Sequence, residues 1–448
     1  MSSVTFPIPA SSLPNPEVLA EPTLAEVNGS VRITPSRVGW RRLLGFLGPG
    51  FLIAVGYMDP GNWATDIAGG SRFGYTLLFA IMVSNLLAIL LQSLSLKLGI
   101  ATGRDLAQLC HDAYGKRVSI ALWIGAEIAI AACDLAEVIG SAIALELLFG
   151  IPMVWGVLIT GADVLLLLAL QKRGMRSLEA LVITLIGTIL ALFTIQIVFC
   201  HPEHWTAMKA FVVPSSQIFT NPGMLYIAIG ILGATVMPHN LYLHSSLVQS
   251  RNYARTPEGK REAIKMGNID SALALTVALL VNGAILIVAA AVFHRSGHLD
   301  VAAIQDAYKL LSPLVGAAGA STLFAVALLA AGQNSSITGT MAGQVVMEGF
   351  VHLKVRPWLR RMITRGLAIV PAVVVVMLWG EAGSEKLLIL SQVVLSVQLS
   401  FAVIPLVLFT SDRKWMGEFV NSTATKCLGW AAAILIAVLN AWMLVQMV

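Results

Sequence analysis

The chain is built from successive apolar runs, each near 20 residues, and two of them are interrupted mid-run by a short polar motif containing proline. A run of that length spans the hydrocarbon core of a bilayer as a helix. Only 12% of the 448 residues are charged and 57% are hydrophobic, with a mean hydropathy of +0.81. Soluble domains carry about 25% charged residues, so the pattern argues against a large soluble protein with buried helices and predicts an all-α, polytopic membrane protein. The first apolar run starts near Leu43, behind a polar, proline-rich segment, so no cleavable signal is expected. Residues 1–40 read as a disordered tail and 41–448 as the transmembrane domain.

Eleven spans are expected, at 44–70, 75–101, 118–147, 152–170, 177–199, 224–249, 268–293, 314–347, 358–379, 386–409 and 428–447. Counting alternately from the first, one face collects most of the lysines and arginines, including Arg41, Arg42, Lys172, Arg173, Arg251 and Lys260. The other face receives only Arg72, Lys209, Arg295, Lys309 and Lys386. Basic residues mark cytoplasmic loops, which places the N-terminus inside and, with an odd number of spans, the C-terminus outside a bacterial cytoplasmic (inner) membrane. The net charge of +5 is therefore read as topology, with no nucleic acid as partner. Cys110, Cys133, Cys200 and Cys427 have no metal-site spacing, and no disulfide framework is expected.

The interruptions are Asp59-Pro60-Gly61-Asn62 in span 1 and Met237-Pro238-His239-Asn240 in span 6. Proline removes a helical donor and clashes with the carbonyl four residues back. Spans 1 and 6 cross in opposite directions, so spans 1–5 and 6–10 read as a 5+5 inverted repeat, with span 11 added. Broken helices at matching places in two such halves point to a transport site at the midplane. Asp59 offers a carboxylate, Asn62 an amide oxygen, and the unwound turn frees carbonyls such as those of Gly56 and Tyr57. Met237 offers a thioether and Ala234 a carbonyl one turn earlier. A mixed oxygen and sulfur set favours later, softer divalent ions over magnesium and calcium, which prefer all-oxygen shells. The competing reading is a proline kink with a capping aspartate.

Span 3 carries Glu127, Asp134 and Glu137, spaced 7 and 3 residues apart on one helical face. Arg360 and Arg361 at the start of span 9, with Arg365 one turn on, are candidate partners. Acid–base chains of this kind serve proton relays, and a static salt-bridge network is the alternative. His239 and His244 follow the second break, and a proton-linked role for His239 stands against simple packing. Gln392 in span 10 and Asn282 in span 7 read, taken alone, as helix–helix hydrogen bonds. The small-residue run AAGQNSSITGTMAGQ of span 8 reads as close packing.

DPGN in span 1 and MPHNLYLHS in span 6, with GQNSSITGTMAGQ and LSQVVLSVQLSFA, resemble the Nramp divalent-metal transporters. The likeness runs over residues 40–448. It implies a LeuT-like fold and inward symport of Mn2+ or Fe2+ with protons by alternating access, with no cofactor, no enzymatic activity, and function as a monomer in the lipid bilayer. By motif it implies metal ligation by Asp59, Asn62, Met237 and the carbonyls of Gly56 and Ala234, joined in some conformations by Gln392. It further implies a proton-linked network of Asp59, His239, Asp134, Glu137, Arg360 and Arg361, with Glu127 more distant. Asp66 departs from the asparagine of many relatives and adds an acid to the outer half of span 1.

Three other functions fit the sequence less well. A sodium-coupled amino-acid carrier of the same fold would bring a substrate carboxylate against an anionic Asp59. Metal-selective channels tend to build their filters from rings in symmetric oligomers. For an intramembrane enzyme there is no nucleophile–base pair or HExxH motif.

Overall fold

Helices account for nearly all of the computed structural model, which describes residues 23–24, 27–33, 39–161, 174–317, 319–352 and 357–446. Among the described residues, seven helices are long and apolar enough to cross a membrane. Their outward faces carry residues such as Val198 and Val438, and the shorter apolar stretch Met362–Leu378 carries Leu367 and Met377, each more than half exposed. Apolar surface on this scale would be a liability in water and is what a helix shows to hydrocarbon.

Both interruptions are real breaks. Span 1 runs as a helix over Pro49–Ala54, tightens to a 3-10 turn over Val55–Met58, is extended at Asp59 (φ −69°, ψ 166°) and resumes over Pro60–Phe73. Span 6 runs over Pro222–Thr235, opens at Val236 and Met237, and resumes over Pro238–Leu247. In each case proline occupies the first turn of the resumed helix, where its missing N–H would have had no partner anyway.

Span 3 (Lys116–Phe149) packs against span 8 (Ala320–Val351) and against the helix Pro357–Ser411. Span 7 (Pro257–Ala289) packs along both halves of span 1. On the face carrying the basic loops, span 1 is fastened at its start. The Gly48 and Gly50 N–H groups donate to the Asp270 carboxylate, the latter at 2.7 Å. Arg251, just past span 6, donates to Glu179 of span 5 and to the Leu47 carbonyl, both at 2.7 Å.

Several expected boundaries change. Span 7 begins eleven residues early, because the Thr256 side chain caps the helix ahead of Pro257, in a charged stretch that an apolar run length leaves out. Span 8 begins at Ala320 and not at 314: a separate helix, Ile304–Val315, ends at left-handed Gly316. Spans 9 and 10 lie in one helical run of 55 residues, Pro357–Ser411, with a membrane-length apolar segment at Leu390–Ser411 and a shorter apolar one at Met362–Leu378. Span 4 is helical from 153 to 161, and its remainder lies outside the described residues.

The reading of the first 40 residues as structureless is corrected for residues 23–24 and 27–33. The Thr23 hydroxyl donates to Asp105 at 2.5 Å and lies 2.9 Å from the Ser246 hydroxyl. The Leu24 N–H donates to Glu348 at 3.0 Å, and Val31–Arg32 pair in parallel with Arg251–Asn252. A polar segment of low hydropathy gains order here from partners more than 80 residues away, which composition does not reveal.

Candidate functional site

The two breaks meet at Gly56. A Cβ placed there would lie 2.2 Å from the Asn240 amide nitrogen and 3.3 Å from the Met237 sulfur. Only a residue without a side chain lets spans 1 and 6 approach so closely. Gly56→Ala is expected to cost about 1–3 kcal/mol of stability by overpacking and to weaken Mn2+ binding, read by thermal melting and calorimetry. Gly187→Ala, at a helical position with nothing within 4 Å of the added Cβ, is the control that leaves both unchanged or gains slightly.

Asp59 caps the resumed half of span 1. Its Oδ1 accepts from the Asn62 backbone N–H at 2.8 Å and from the Asn62 side-chain amide at 2.7 Å. The same amide nitrogen also donates to the Ala234 carbonyl at 3.0 Å. A hydrogen-bond donor thus sits between a carboxylate oxygen of span 1 and a carbonyl oxygen of span 6, where a cation would draw on both. Turning the Asn62 amide over would replace that donor with an oxygen. Asp59 Oδ2 is buried and has no hydrogen-bond partner among the described residues. Asp59, Asn62, Ala234 and Met237 are all buried, so the site is closed to both faces.

Gln392 completes the enclosure. Its amide nitrogen would lie 1.8 Å from a Cβ on Gly61, and its carbonyl 3.4 Å from one on Gly233. Span 10 therefore touches both helices, through the Gln392 side chain at Gly61 and through Ser396 and the Gln392 backbone carbonyl at Gly233. The carbonyl of Tyr57, freed by the break, is taken by the Asn282 amide at 2.8 Å, and that of Met58 by the Trp63 indole at 3.2 Å. These bonds answer the demand that backbone in a membrane be satisfied.

The acids of span 3 lie alongside. Pro60 seats on Gly140, where a Cβ would meet the proline ring at 2.2 Å. One turn away, the Glu137 carboxylate accepts from the Ser335 hydroxyl at 2.7 Å and the Ser336 hydroxyl at 3.0 Å. Arg365 lies 3.4 Å from Glu137 and 3.7 Å from Asp134. His239 Nε2 lies 3.9 Å from the Cys133 sulfur, which is 3.5 Å from Glu137. Glu127 is half-buried, with the Trp123 indole donating to it at 3.2 Å. The side chains of Arg360 and Arg361 lie outside the described ones. Among the described residues the arginine that meets these acids is Arg365: it falls one turn deeper, at the level of the acids, while its neighbours flank the helix start.

Sequence reasoning missed three contributors. Ser335 and Ser336 belong to the run read as packing, yet their hydroxyls bind Glu137. Asn240 is fully buried against Gly56, and its amide makes no hydrogen bond among the described residues. The signal was present, since DPGN and MPHN both end in asparagine two residues after the proline.

The profile of the family described as "natural resistance-associated macrophage protein-like" matches residues 50–446. The chain belongs to the Nramp family. The divalent metal cation transporter MntH of Listeria monocytogenes is 62% identical to the Nramp chain over 423 residues, 94% of each. MntH of Nostoc sp. is 60% identical over 425 residues, 95% of this chain and 96% of the relative. The crystal structure of the Eremococcus coleocola manganese transporter, bound to an aromatic bis-isothiourea substituted compound, matches with a TM-score of 0.88 at 43% identity. That match covers 94% of this chain and 90% of the other. Mhp1, a nucleobase-cation-symport-1 family transporter, matches with a TM-score of 0.60 at 15% identity, over 89% and 92% of the two chains. The likeness to Mhp1 is one of fold alone, and the Nramp chain has the LeuT-like architecture.

Proposed function

We propose that this protein is a proton-coupled importer of divalent transition metal ions, manganese foremost and iron second, working by alternating access about the two breaks. The observation that carries the reading is the approach of the two breaks, where the Asn62 amide bridges Asp59 and the Ala234 carbonyl and the Met237 sulfur packs at Gly56. The names of the Listeria and Nostoc relatives and of the Eremococcus structure support the substrate class. In this reading the basic loops face the cytoplasm, the C-terminus is outside, and one chain suffices for transport. A metal entering the closed space takes Asp59 and Ala234 as ligands in place of the Asn62 donor, and Asn62 turns its oxygen inward. Any proton held on Asp59 leaves toward His239 or the span 3 acids, which couples the two fluxes.

Met237 supplies the selective element. A thioether is a poor ligand for hard ions and tolerable for Mn2+ or Fe2+. Met237→Ala is expected to keep Mn2+ uptake while Ca2+ or Mg2+ competes better, measured as inhibition of Mn2+ uptake by each ion. Competition equal to wild type removes the soft-ligand argument. The deciding experiment for the whole reading follows Mn2+ uptake into proteoliposomes together with internal pH. Uptake accompanied by acidification is expected; uptake of an amino acid without Mn2+ overturns it.

A further inference from the structure

Two of the few basic residues on the face away from the basic loops, Lys209 and Arg295, line one cavity. It has a volume of about 600 Å³, and its walls include Lys209, Arg295, His294, Phe73, Tyr75 and Glu203. Phe73, in the wall, has the Arg72 guanidinium 5.7 Å from its ring centre. Glu203, the one acid in the wall, accepts from the Thr206 hydroxyl at 3.0 Å. Among the described residues, neither Lys209 nor Arg295 has a carboxylate partner, so the cavity holds a net positive charge.

Local backbone aims these groups. Span 7 ends in a π-helical turn over Ala290–His294, closed by the Arg295 N–H donating to the Ala290 carbonyl at 3.3 Å. Such turns are rare and recur at functional sites. This one carries His294 and Arg295 to the cavity wall, and His294 Nδ1 donates to the Ser71 carbonyl at 2.9 Å. The cavity thus joins the end of span 1, the end of span 7 and the short helix His204–Val212.

That short helix indicates what fills the cavity. Trp205, Met208 and Val212 lie on one stripe and are 83%, 65% and 72% exposed, while Ala207 and Phe211 pack inward. An amphipathic helix with such a stripe lies in the membrane interface, tryptophan at headgroup level. Lys209 sits at the border between the stripe and the cavity wall formed by Thr206 and Ala210. A lysine so placed lays its stem along lipid and turns its ammonium to a headgroup.

We propose that this cavity binds the headgroup of an anionic phospholipid. Its phosphate is held by Lys209 and Arg295 while its acyl chains run along Trp205 and Met208. The bound lipid then links the outer end of span 1 to span 7 and to the bilayer. Neither residue touches the metal site, so the proposal stands apart from the transport reading.

The test uses the full-length protein, delipidated and re-equilibrated in mixed micelles of phosphatidylcholine and phosphatidylglycerol, with retained lipid counted by native mass spectrometry. Wild type is expected to retain phosphatidylglycerol selectively, and less so at high salt. Lys209→Gln with Arg295→Gln should lower that retention roughly thirtyfold, at the contribution of two cationic side chains near an anionic surface. Lys209→Arg with Arg295→Lys, which keeps both charges, should retain it. Equal retention by the neutral double variant overturns the site. Displacement of the lipid by millimolar inorganic phosphate overturns the lipid assignment and leaves a site for a free anion.

Discussion

Asp59→Asn is expected to lower Mn2+ uptake by at least about 100-fold, since removing even an indirect partner of a metal ligand costs 10–100-fold. It is expected to leave the melting temperature of the protein unchanged or higher. The two halves of this result have separate causes. Asparagine caps a helix as well as aspartate does, and its oxygen can keep both bonds from Asn62. What disappears is a buried charge, whose desolvation costs stability when no partner offsets it. The oxygen lost to an NH2 group is Oδ2, the one without a hydrogen bond among the described residues. A capping aspartate in a proline kink would give the opposite pattern, with little change in uptake. Uptake within tenfold of wild type, in protein that melts normally, sinks the anionic centre. A collapse in melting temperature assigns Asp59 to structure instead.

The all-α membrane class and both breaks were legible because they rest on local chemistry: apolar run length against bilayer thickness, and proline against the helix. The partners of the freed groups were less so. Asn282 was readable as a helix–helix bond, but its target, the Tyr57 carbonyl, depends on how span 7 is rotated against span 1. The same rotation decides that Ser335 and Ser336 face Glu137, turning a small-residue run into a carboxylate cradle. Charge counting assigns arginines to a face of the membrane and does not resolve depth within the first turns of a helix. Hence Arg360, Arg361 and Arg365 looked alike, although only the last reaches the acids among the described side chains. Asn240 shows a different limit: its mirror relation to Asn62 was visible in the two motifs, but its burial against Gly56 follows only once the breaks are brought together.

Arg365 carries the second large effect. It stands between two buried carboxylates, so its removal leaves both with less compensation. Losing one member of a buried ion pair typically costs about 3–5 kcal/mol, and Arg365→Met is expected to lower the melting temperature accordingly. Glu137→Gln should cost less, because Arg365 keeps Asp134 at 3.7 Å, the amide oxygen still accepts from one serine hydroxyl, and the other hydroxyl can turn to accept from the amide NH2. Stability alone cannot separate a static network from a proton path, since both predict this order. The metal-associated proton flux can. A relay through span 3 requires Glu137 to gain and lose a proton, which glutamine cannot do, so Glu137→Gln should lower proton flux per Mn2+ while Mn2+ still binds. The double variant, Glu137→Gln with Arg365→Met, restores part of the stability lost by Arg365→Met, because one stranded charge is gone with its partner. It restores none of the proton flux. If Glu137→Gln leaves the flux unaltered and the double variant recovers stability, the span 3 acids are a fastening for spans 3, 8 and 9, and the proton must travel by Asp59 and His239 without them.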